Sequence, residues 1–274
     1  MTPHEYCADK VAKRGGTLFY AVFRLPAEKR QAIVAVHAFR REVEDIAAER
    51  SDPALGRLRL EWWRQQLAAV YGGAPQHPVA RALQAVVEAY RLPESRFLDI
   101  IEGVETDLTA SRYPDFAALA RYCTQLGSVP NELAARILGY QDPRTVDRVR
   151  ELGIATRLVR IVRDIGLDAR RDRIYLPADE MRRYAVTPAQ LLHSRHDNRF
   201  RQLVEHQIDR IESTFAAALS DFPAVDRKAQ HPLLALAAIG RALLREIRAD
   251  DCRVLDRRTS LTPLRKLWIA WRAG

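Results

Sequence analysis

Apolar residues recur at intervals of three and four along nearly the whole chain, and this spacing constrains the fold more than any other feature. In one stretch they fall at Ile33, Val36, Phe39, Val43 and Ile46. This is the period of one face of an α-helix, whereas alternating runs long enough to form strands are missing. The periodicity therefore predicts an all-α protein.

Proline residues and capping residues mark where the periodic segments begin and end. Proline is tolerated in the first turn of a helix, and Ser95 and Thr187 are candidate N-cap residues. No fixed-period repeat is visible, so we expect residues 1–274 to form one domain. The longest connection, 169–196, is expected to contain short helical stretches. We predict main helices at residues 27–50, 53–72, 78–91, 94–110, 115–139, 144–168, 197–220, 229–249 and 261–272.

Composition places the chain among globular proteins. Hydrophobic residues make up 47% of the 274 residues and charged residues 29%, which is enough apolar material for a substantial core. The longest apolar run, residues 233–239, is far shorter than the roughly 20 residues of a membrane-spanning helix. Residues 1–15 lack the apolar region of a signal peptide. We therefore expect a cytoplasmic protein, and its three widely spaced cysteines fit a reducing compartment.

The net charge of +9 indicates a surface that attracts anions. Charge alone does not distinguish nucleic acid, anionic lipid and a phosphorylated substrate. No DNA- or RNA-binding motif is recognisable, so we do not expect nucleic acid as a partner. The Gly-x-Ser-x-Gly motif of serine hydrolases is also missing.

The clearest candidate for chemistry is the pair Asp164 and Asp168. Two carboxylates four residues apart on a helix lie on one face, one turn from each other. They repel unless a cation lies between them, and Mg²⁺ is suited to this because it prefers hard oxygen ligands. The alternative is a solvated charged face, and the pair alone does not decide between the two.

Other motifs along the chain help to interpret the Asp164–Asp168 pair. Arg41 lies beside an acidic cluster on a helix, and Arg163, Asp164 and Asp168 follow more than a hundred residues later. With these motifs the chain resembles the squalene/phytoene synthase family of head-to-head prenyltransferases, especially the bacterial presqualene diphosphate synthases of hopanoid biosynthesis. The shorter motifs that carry the resemblance are Trp62-Trp63-Arg64, His77-Pro78-Val79, Ile101-Glu102-Gly103, Arg112-Tyr113, Tyr122-Cys123 and the segments 168–177 and 260–271.

The resemblance implies an isoprenoid-synthase fold, in which a single helical bundle surrounds a central apolar cavity. In the family, two aspartate motifs at the mouth bind Mg²⁺, which holds the diphosphates of two farnesyl diphosphate molecules. The implied activity is their condensation to presqualene diphosphate and squalene. Metal and arginine stabilise the leaving diphosphate, while the apolar cavity protects the carbocation from water.

Matching the family motifs residue by residue gives candidate site residues. The candidate catalytic residues are Tyr122, Arg41 and Arg163. The candidate substrate-binding residues are Tyr20, Arg41, Arg157, Arg160 and Arg163. The candidate metal ligands, with Mg²⁺ as the implied cofactor, are Asp164, Asp168, Glu44 and Asp45.

The first aspartate motif departs from the family pattern. Its two positions are occupied by Glu44 and Ala48, so the second carboxylate is lost. Glu42, Asp45 and Glu49 form another acidic stripe, which is rotated from the matched face by about 100° for each residue of offset. This stripe is either a slipped metal site or surface charge.

The second motif departs in another way. Arg157 and Arg160 stand where the family has Gln and Asn, and a guanidinium cannot coordinate a metal because it has no acceptor atom. Either an Arg160–Asp164 ion pair neutralises the carboxylate, or the two arginines replace a metal and bind diphosphate directly. Gly240 stands where the family has tyrosine. The alternative to an enzyme is therefore a catalytically silent member that acts as a binding or accessory protein.

The C-terminal segment 257–272 mixes basic residues with leucine and tryptophan. Such a composition is typical of a helix that lies on an anionic bilayer. A closing helix packed on the core would show the same pattern. Contact with an anionic membrane therefore stays open, as one of two interpretations of this segment.

Overall fold

The structure is a computed structural model that describes residues 1–12, 17–49 and 52–273. It is built from helices, joined by short connections. The helices are α1 (Pro3–Ala12), α2 (Thr17–Val22), α3 (Ala27–Ala48), α4 (Pro53–Gly72), α5 (Pro78–Ala89), α6 (Glu94–Thr109), α7 (Phe116–Cys123), α8 (Val129–Leu138), α9 (Arg144–Ala169), α10 (Ala178–Arg183), α11 (Pro188–Leu192), α12 (Asn198–Ser220), α13 (His231–Ala249) and α14 (Pro263–Arg272).

The predicted all-α class is confirmed, and the predicted main helices differ from the observed ones by only a few residues at their ends. Two helices, α1 and α2, lie outside the predicted set. Thr187 is confirmed as an N-cap, since its side chain accepts a hydrogen bond from the Gln190 amide. Ser95 is wrong as a cap, because α6 begins after Pro93 and Ser95 lies inside it.

Two short strands join the connection after α6 to the connection after α9. Strand β1 (Arg112–Tyr113) pairs in parallel with β2 (Ile174–Pro177). They are too short to produce the alternating pattern by which strands are recognised. Their pairing brings Tyr113 and Tyr175 beside Tyr122 of α7, with ring centroids 5.4–5.7 Å apart.

The predicted helix 115–139 is an α-helix, a π-helical turn (Thr124–Ser128) and a second α-helix in succession. Pro130 falls in the first turn of α8, where a missing amide is tolerated. The π-helical turn lies directly on α9: a Cβ atom on Gly127 would lie 2.5 Å from the carbonyl oxygen of Gly153. Only glycine permits so close a contact between two backbones.

Helix α9 runs through the centre of the molecule and packs against α8, α12, α13 and the π-helical turn. It buries polar as well as apolar residues, among them Arg157 and Asp164. Helix α3 packs against α1, α5, α6 and α8. No helix among the described residues is long and apolar enough to cross a membrane.

Candidate functional site

A cavity of about 660 Å³ lies between α3, α9, α13 and the π-helical turn. Its volume is within the range of small-molecule sites, about 300–1,000 Å³. One part of its wall is apolar and is formed by Leu126, Val159, Leu236, Ile239 and Leu243. The other part is basic and is formed by Arg40, Arg41, Arg157, Arg160, Arg163, Arg171 and Arg258.

Glu44 of α3 is buried against the arginines of α9. Arg157 Nη1 lies 2.6 Å from Glu44 Oε1, and Arg160 Nη1 lies 3.3 Å from Glu44 Oε2. Arg41 Nη1 is 3.9 Å away. Burial disfavours ionisation of Glu44, but the positive charges of the surrounding arginines outweigh it and hold the pKa of Glu44 well below its usual range. Glu44 is therefore a carboxylate whose charge is already neutralised by protein cations.

Tyr122 lies behind Arg157 rather than on the cavity wall. Arg157 Nη2 donates a hydrogen bond to the Tyr122 hydroxyl, and its guanidinium lies 5.0 Å from the centre of the ring. Burial raises the pKa of Tyr122. The tyrosine is thus a neutral group that helps fix the buried Arg157.

Asp164 is neutralised in the same manner one turn after Arg160 on the same face of α9. Arg163 contacts both of its oxygens, with Nη2–Oδ2 at 2.5 Å and Nε–Oδ1 at 2.9 Å. Arg258 Nε lies 2.8 Å from Oδ1. Burial alone would raise the pKa of Asp164. The hydrogen bonds and positive charges of these two arginines outweigh burial and lower the pKa to about 2. The predicted Arg160–Asp164 pair is wrong, since Arg160 reaches across to Glu44.

Asp168, one turn further along α9, has a different environment. It lines the cavity, but the structure shows no ion pair for it within the described residues. Burial and the nearby negative charge of Asp164 raise the pKa of Asp168 to about 6. The two carboxylates predicted to share a metal therefore differ: one is held ionised, and the other ionises with difficulty.

The acidic stripe of α3 points away from the cavity. Lys10 Nζ of α1 lies 2.9 Å from Glu42 and 3.1 Å from Asp45. Glu49 pairs with Arg59 at 2.5 Å. Glu42 and Asp45, whose side chains are 13% and 16% exposed, thus form partly buried ion pairs beside α1, and neither of them lines the cavity with the predicted metal ligands of α9.

Tyr20, a predicted substrate-binding residue, packs under Lys266 and is not brought to the cavity wall with the other predicted residues. The sequence prediction placed it in the site by motif alone. It also missed several lining residues. Arg40 and His37 lie one turn and two turns before Glu44, where a helical wheel could have placed them on the same face. Arg258 lies 94 residues from Asp164, and no local signal points to their contact.

Some buried side-chain nitrogens of this basic region lack hydrogen-bond partners among the described residues. Arg40 Nε, Arg157 Nε and His37 Nε2 are buried and have no hydrogen-bond partner among the described residues. Buried polar atoms are nearly always paired, so such atoms need an explanation. All three belong to residues that line the cavity.

Comparison with known proteins agrees with this architecture. The family described as squalene/phytoene synthase matches residues 11–265. The chain belongs to the squalene/phytoene synthase family. A 15-cis-phytoene synthase from Synechocystis sp. is 29% identical, over 98% of this chain and 84% of the relative. A phytoene synthase from Arthrospira platensis is 28% identical, over 96% of this chain and 90% of the relative.

Solved structures show that this family member has the isoprenoid synthase fold. A dehydrosqualene synthase in complex with a ligand superposes with a TM-score of 0.89 at 24% identity, covering 99% of this chain and 95% of that one. Squalene synthase HpnC from Alicyclobacillus acidocaldarius gives a TM-score of 0.81 at 22% identity, covering 91% and 94%. At such identities the likeness concerns the fold alone.

Members of this family generally depend on a divalent metal, but the donor atoms here do not fit one. Mg²⁺ needs several free oxygen ligands in octahedral arrangement. Glu44 and Asp164 each direct their oxygens at two arginines, and Ala48 contributes no ligand. Within residues 1–12, 17–49 and 52–273, no three His, Cys, Asp or Glu side chains come together as a metal site.

Proposed function

We propose that the cavity binds an isoprenoid diphosphate, with the diphosphate against the arginines and the prenyl chain along the apolar wall. The observation that carries this proposal is a charge imbalance. Seven arginines and two aspartates of the described residues line the cavity. With Glu44 included, which is buried against three of these arginines, the positive charges exceed the negative ones by four.

The arginines are suited to a diphosphate in the position where the family uses metal. A guanidinium presents planar, fixed donors that match phosphate oxygens, and charge-assisted hydrogen bonds are about twice as strong as neutral ones. Arg40 and Arg157 each have a buried Nε donor without a partner in the described part of the chain. The exposed Arg171 lies at the mouth with no carboxylate partner there. Binding of this kind requires no divalent cation.

The apolar wall favours a prenyl chain over an inorganic anion. Its leucine, isoleucine and valine side chains continue directly from Arg157 and Arg160 along α9 and α13. Gly240 leaves room there, because a Cβ atom at this position would come no closer than 3.4 Å to Phe215. Burial of each methylene group of a ligand contributes about 0.8 kcal/mol. Farnesyl diphosphate is the ligand that we propose.

The decisive test is calorimetric titration with farnesyl thiodiphosphate, an analogue that resists ionisation, in EDTA and again in excess Mg²⁺. We expect binding in EDTA, with affinity changed less than threefold by the metal. Inorganic pyrophosphate should bind at least tenfold more weakly, which corresponds to about 1.4 kcal/mol. Binding that requires Mg²⁺, or no binding at all, would contradict the proposal.

A second candidate function is head-to-head condensation of two farnesyl diphosphate molecules to presqualene diphosphate or squalene. It is favoured by the family and by the fold. The curated relatives above are phytoene synthases, so geranylgeranyl diphosphate is a second substrate to test. Release of pyrophosphate and extraction of lipid products, with each substrate and with Mg²⁺, separate an enzyme from a binding protein.

A further inference from the structure

Helix α14 has apolar residues on two opposite faces. Ala270 is fully buried and Ile269 packs beside it, so one face closes the core. The opposite face, here called the outer face, is exposed to solvent. It consists of Leu264 (79% exposed), Leu267 (38%), Trp268 (55%) and Trp271 (62%). Their spacing of three and four residues places them in one stripe along the helix.

The apolar surface continues onto α2. Phe19 is 62% exposed, and its ring lies 5.5 Å from that of Tyr20. Lys266 of α14 lies over the same Tyr20 ring at 5.8 Å. Helices α2 and α14 pack against each other, and α14 also packs on α13. Exposed apolar residues that lie together on a surface and are rimmed by polar or basic residues indicate an interaction site.

Charge complementarity identifies the partner. The chain contains no Asp or Glu after Asp256. Arg265 pairs with Glu246, but Lys266 and Arg272 have no carboxylate partner in the described residues. The guanidinium of Arg272 lies 4.8 Å from the Trp268 ring, at the edge of the outer face. Basic side chains around exposed tryptophans match the anionic headgroup region of a bilayer, where indole rings concentrate.

Helix α4 provides a contrast within the same molecule. It also exposes apolar residues, Leu55 (44%), Leu58 (68%) and Trp62 (41%). Two of the three arginines of α4 are paired: Arg59 contacts Glu49 and Arg64 contacts Glu105, each at 2.5 Å. The third is Arg57, and the same helix carries Glu61. Helix α4 therefore exposes apolar residues while its arginines are matched in number by nearby carboxylates.

We propose that α14 docks flat on an anionic phospholipid bilayer, with its outer face among the acyl chains and headgroups. A helix with one apolar face and basic flanks takes this position, since burial of its apolar side chains and attraction to anionic lipid act together. None of the four outer-face residues lines the cavity, but Lys266 of the same helix lies near its wall. Burial, and the positive charges of Arg163 and Arg258 from the cavity wall, lower the pKa of Lys266. A prenyl chain in the membrane would thus lie beside the cavity that we propose for it, although docking itself does not depend on that ligand.

Sedimentation of the full chain with phosphatidylcholine vesicles, with and without phosphatidylglycerol, tests the proposal. We expect binding to the anionic vesicles, and its loss as ionic strength rises. Leu264→Ser with Trp268→Ser should weaken partitioning at least tenfold, and Arg272→Gln about fivefold, since each basic residue contributes about 1 kcal/mol. The matched control, Leu55→Ser with Leu58→Ser, removes two exposed leucines from α4 and should bind as the parent chain does.

Tryptophan fluorescence gives an independent readout, because the four tryptophans divide equally between α4 and α14. Anionic vesicles should shift the emission to the blue in the parent chain and in Trp62→Phe, but not in Trp268→Phe with Trp271→Phe. Equal recovery in the supernatant with and without anionic vesicles would overturn the proposal. So would a solution dimer that Leu264→Ser with Trp268→Ser converts to monomer without any vesicle binding, because the outer face would then be an interface between copies.

Discussion

Glu44 and Glu132 are both buried carboxylates held by arginines, but their surroundings differ in charge. Glu132 lies 2.9 Å from Arg150, 3.1 Å from Arg136 and 3.5 Å from Arg96. Two of these arginines also pair with Asp99 and Asp147, so the cluster is balanced. Glu44 faces Arg157, Arg160 and Arg41, and no second carboxylate among the described residues pairs with Arg157 or Arg160.

This difference separates a structural use of arginine from a binding use. A balanced cluster holds two helices together and has no charge left for a ligand. An unbalanced cluster beside a cavity costs stability through repulsion between its cations, and an anionic ligand relieves that cost. The same local pairing therefore has two meanings, and the count of opposing charges distinguishes them.

Substitution of Glu44 or of Glu132 should have the largest effect on the free energy of unfolding. Glu44→Gln leaves Arg157, only 6% exposed, without its counter-charge, and should lower the free energy of unfolding by about 3–5 kcal/mol. Glu132→Gln should cost about 1–3 kcal/mol, because its arginines reach solvent. Urea denaturation measures both.

Binding of the substrate analogue should enlarge the difference between the Glu44 and Glu132 variants. Saturating farnesyl thiodiphosphate should restore more stability to Glu44→Gln than to Glu132→Gln, since its diphosphate takes the place of the lost carboxylate. If the ligand stabilises the two variants equally, the charge imbalance at Glu44 has no part in binding.

The arginines themselves should show the next largest effect. Arg157→Gln with Arg160→Asn removes two charge-assisted contacts worth about 1.5–3 kcal/mol each, so affinity for the analogue should fall about a hundredfold or more. The control, Arg136→Gln with Arg150→Gln, removes two arginines from the balanced cluster and should change affinity less than threefold. Calorimetry in EDTA measures both variants.

The double variant could also show the opposite behaviour. It returns the family's usual Gln and Asn beside Asp164 and Asp168. Tighter binding that appears only with Mg²⁺ would mean that the two arginines block a metal site rather than replace one.

The smallest expected effects on the free energy of unfolding are those of Asp164 and Asp168 on α9. The two effects differ in sign. The folded-state pKa of Asp168, about 6, lies above its unfolded value, so its ionisation opposes folding as pH rises from about 4 to 6. Asp168→Asn should therefore stabilise the chain at pH 7, by about 1–3 kcal/mol. The pKa of Asp164, about 2, lies below its unfolded value. Asp164→Asn should cost about 2 kcal/mol at pH 7, an effect that vanishes as pH falls from about 4 to 2.

Thermal unfolding across this pH range tests both signs. Changes of the same sign in the two variants would show that the cavity treats the two aspartates alike. Neither variant should weaken binding of the analogue in EDTA. A tenfold loss of affinity seen only with Mg²⁺ would instead assign them a metal role.

The sequence predicted the helices well because apolar periodicity records which face of each helix is buried. It missed α1 and α2, which are short and offer few apolar repeats. It also indicated that arginine could neutralise an aspartate of the second motif. It assigned the wrong partners, because Arg160 reaches Glu44 on α3 and Arg258 comes from a distant segment. Helical spacing describes contacts within a helix, whereas this site is formed by contacts between helices.

The contact between Gly127 and Gly153 sets the distance between the π-helical turn and α9, and thereby the position of Arg157. Arg157 follows Gly153 by one helical turn, and from there it reaches both Glu44 and Tyr122. A single added methyl group at either glycine would act as a spacer, since it would meet the opposing backbone rather than a yielding side chain. As long as this spacing between the two backbones is kept, single charged residues around the cavity could be substituted without moving α9. Without this spacing, Arg157 would lose both of its contacts together, even if no charged residue had changed.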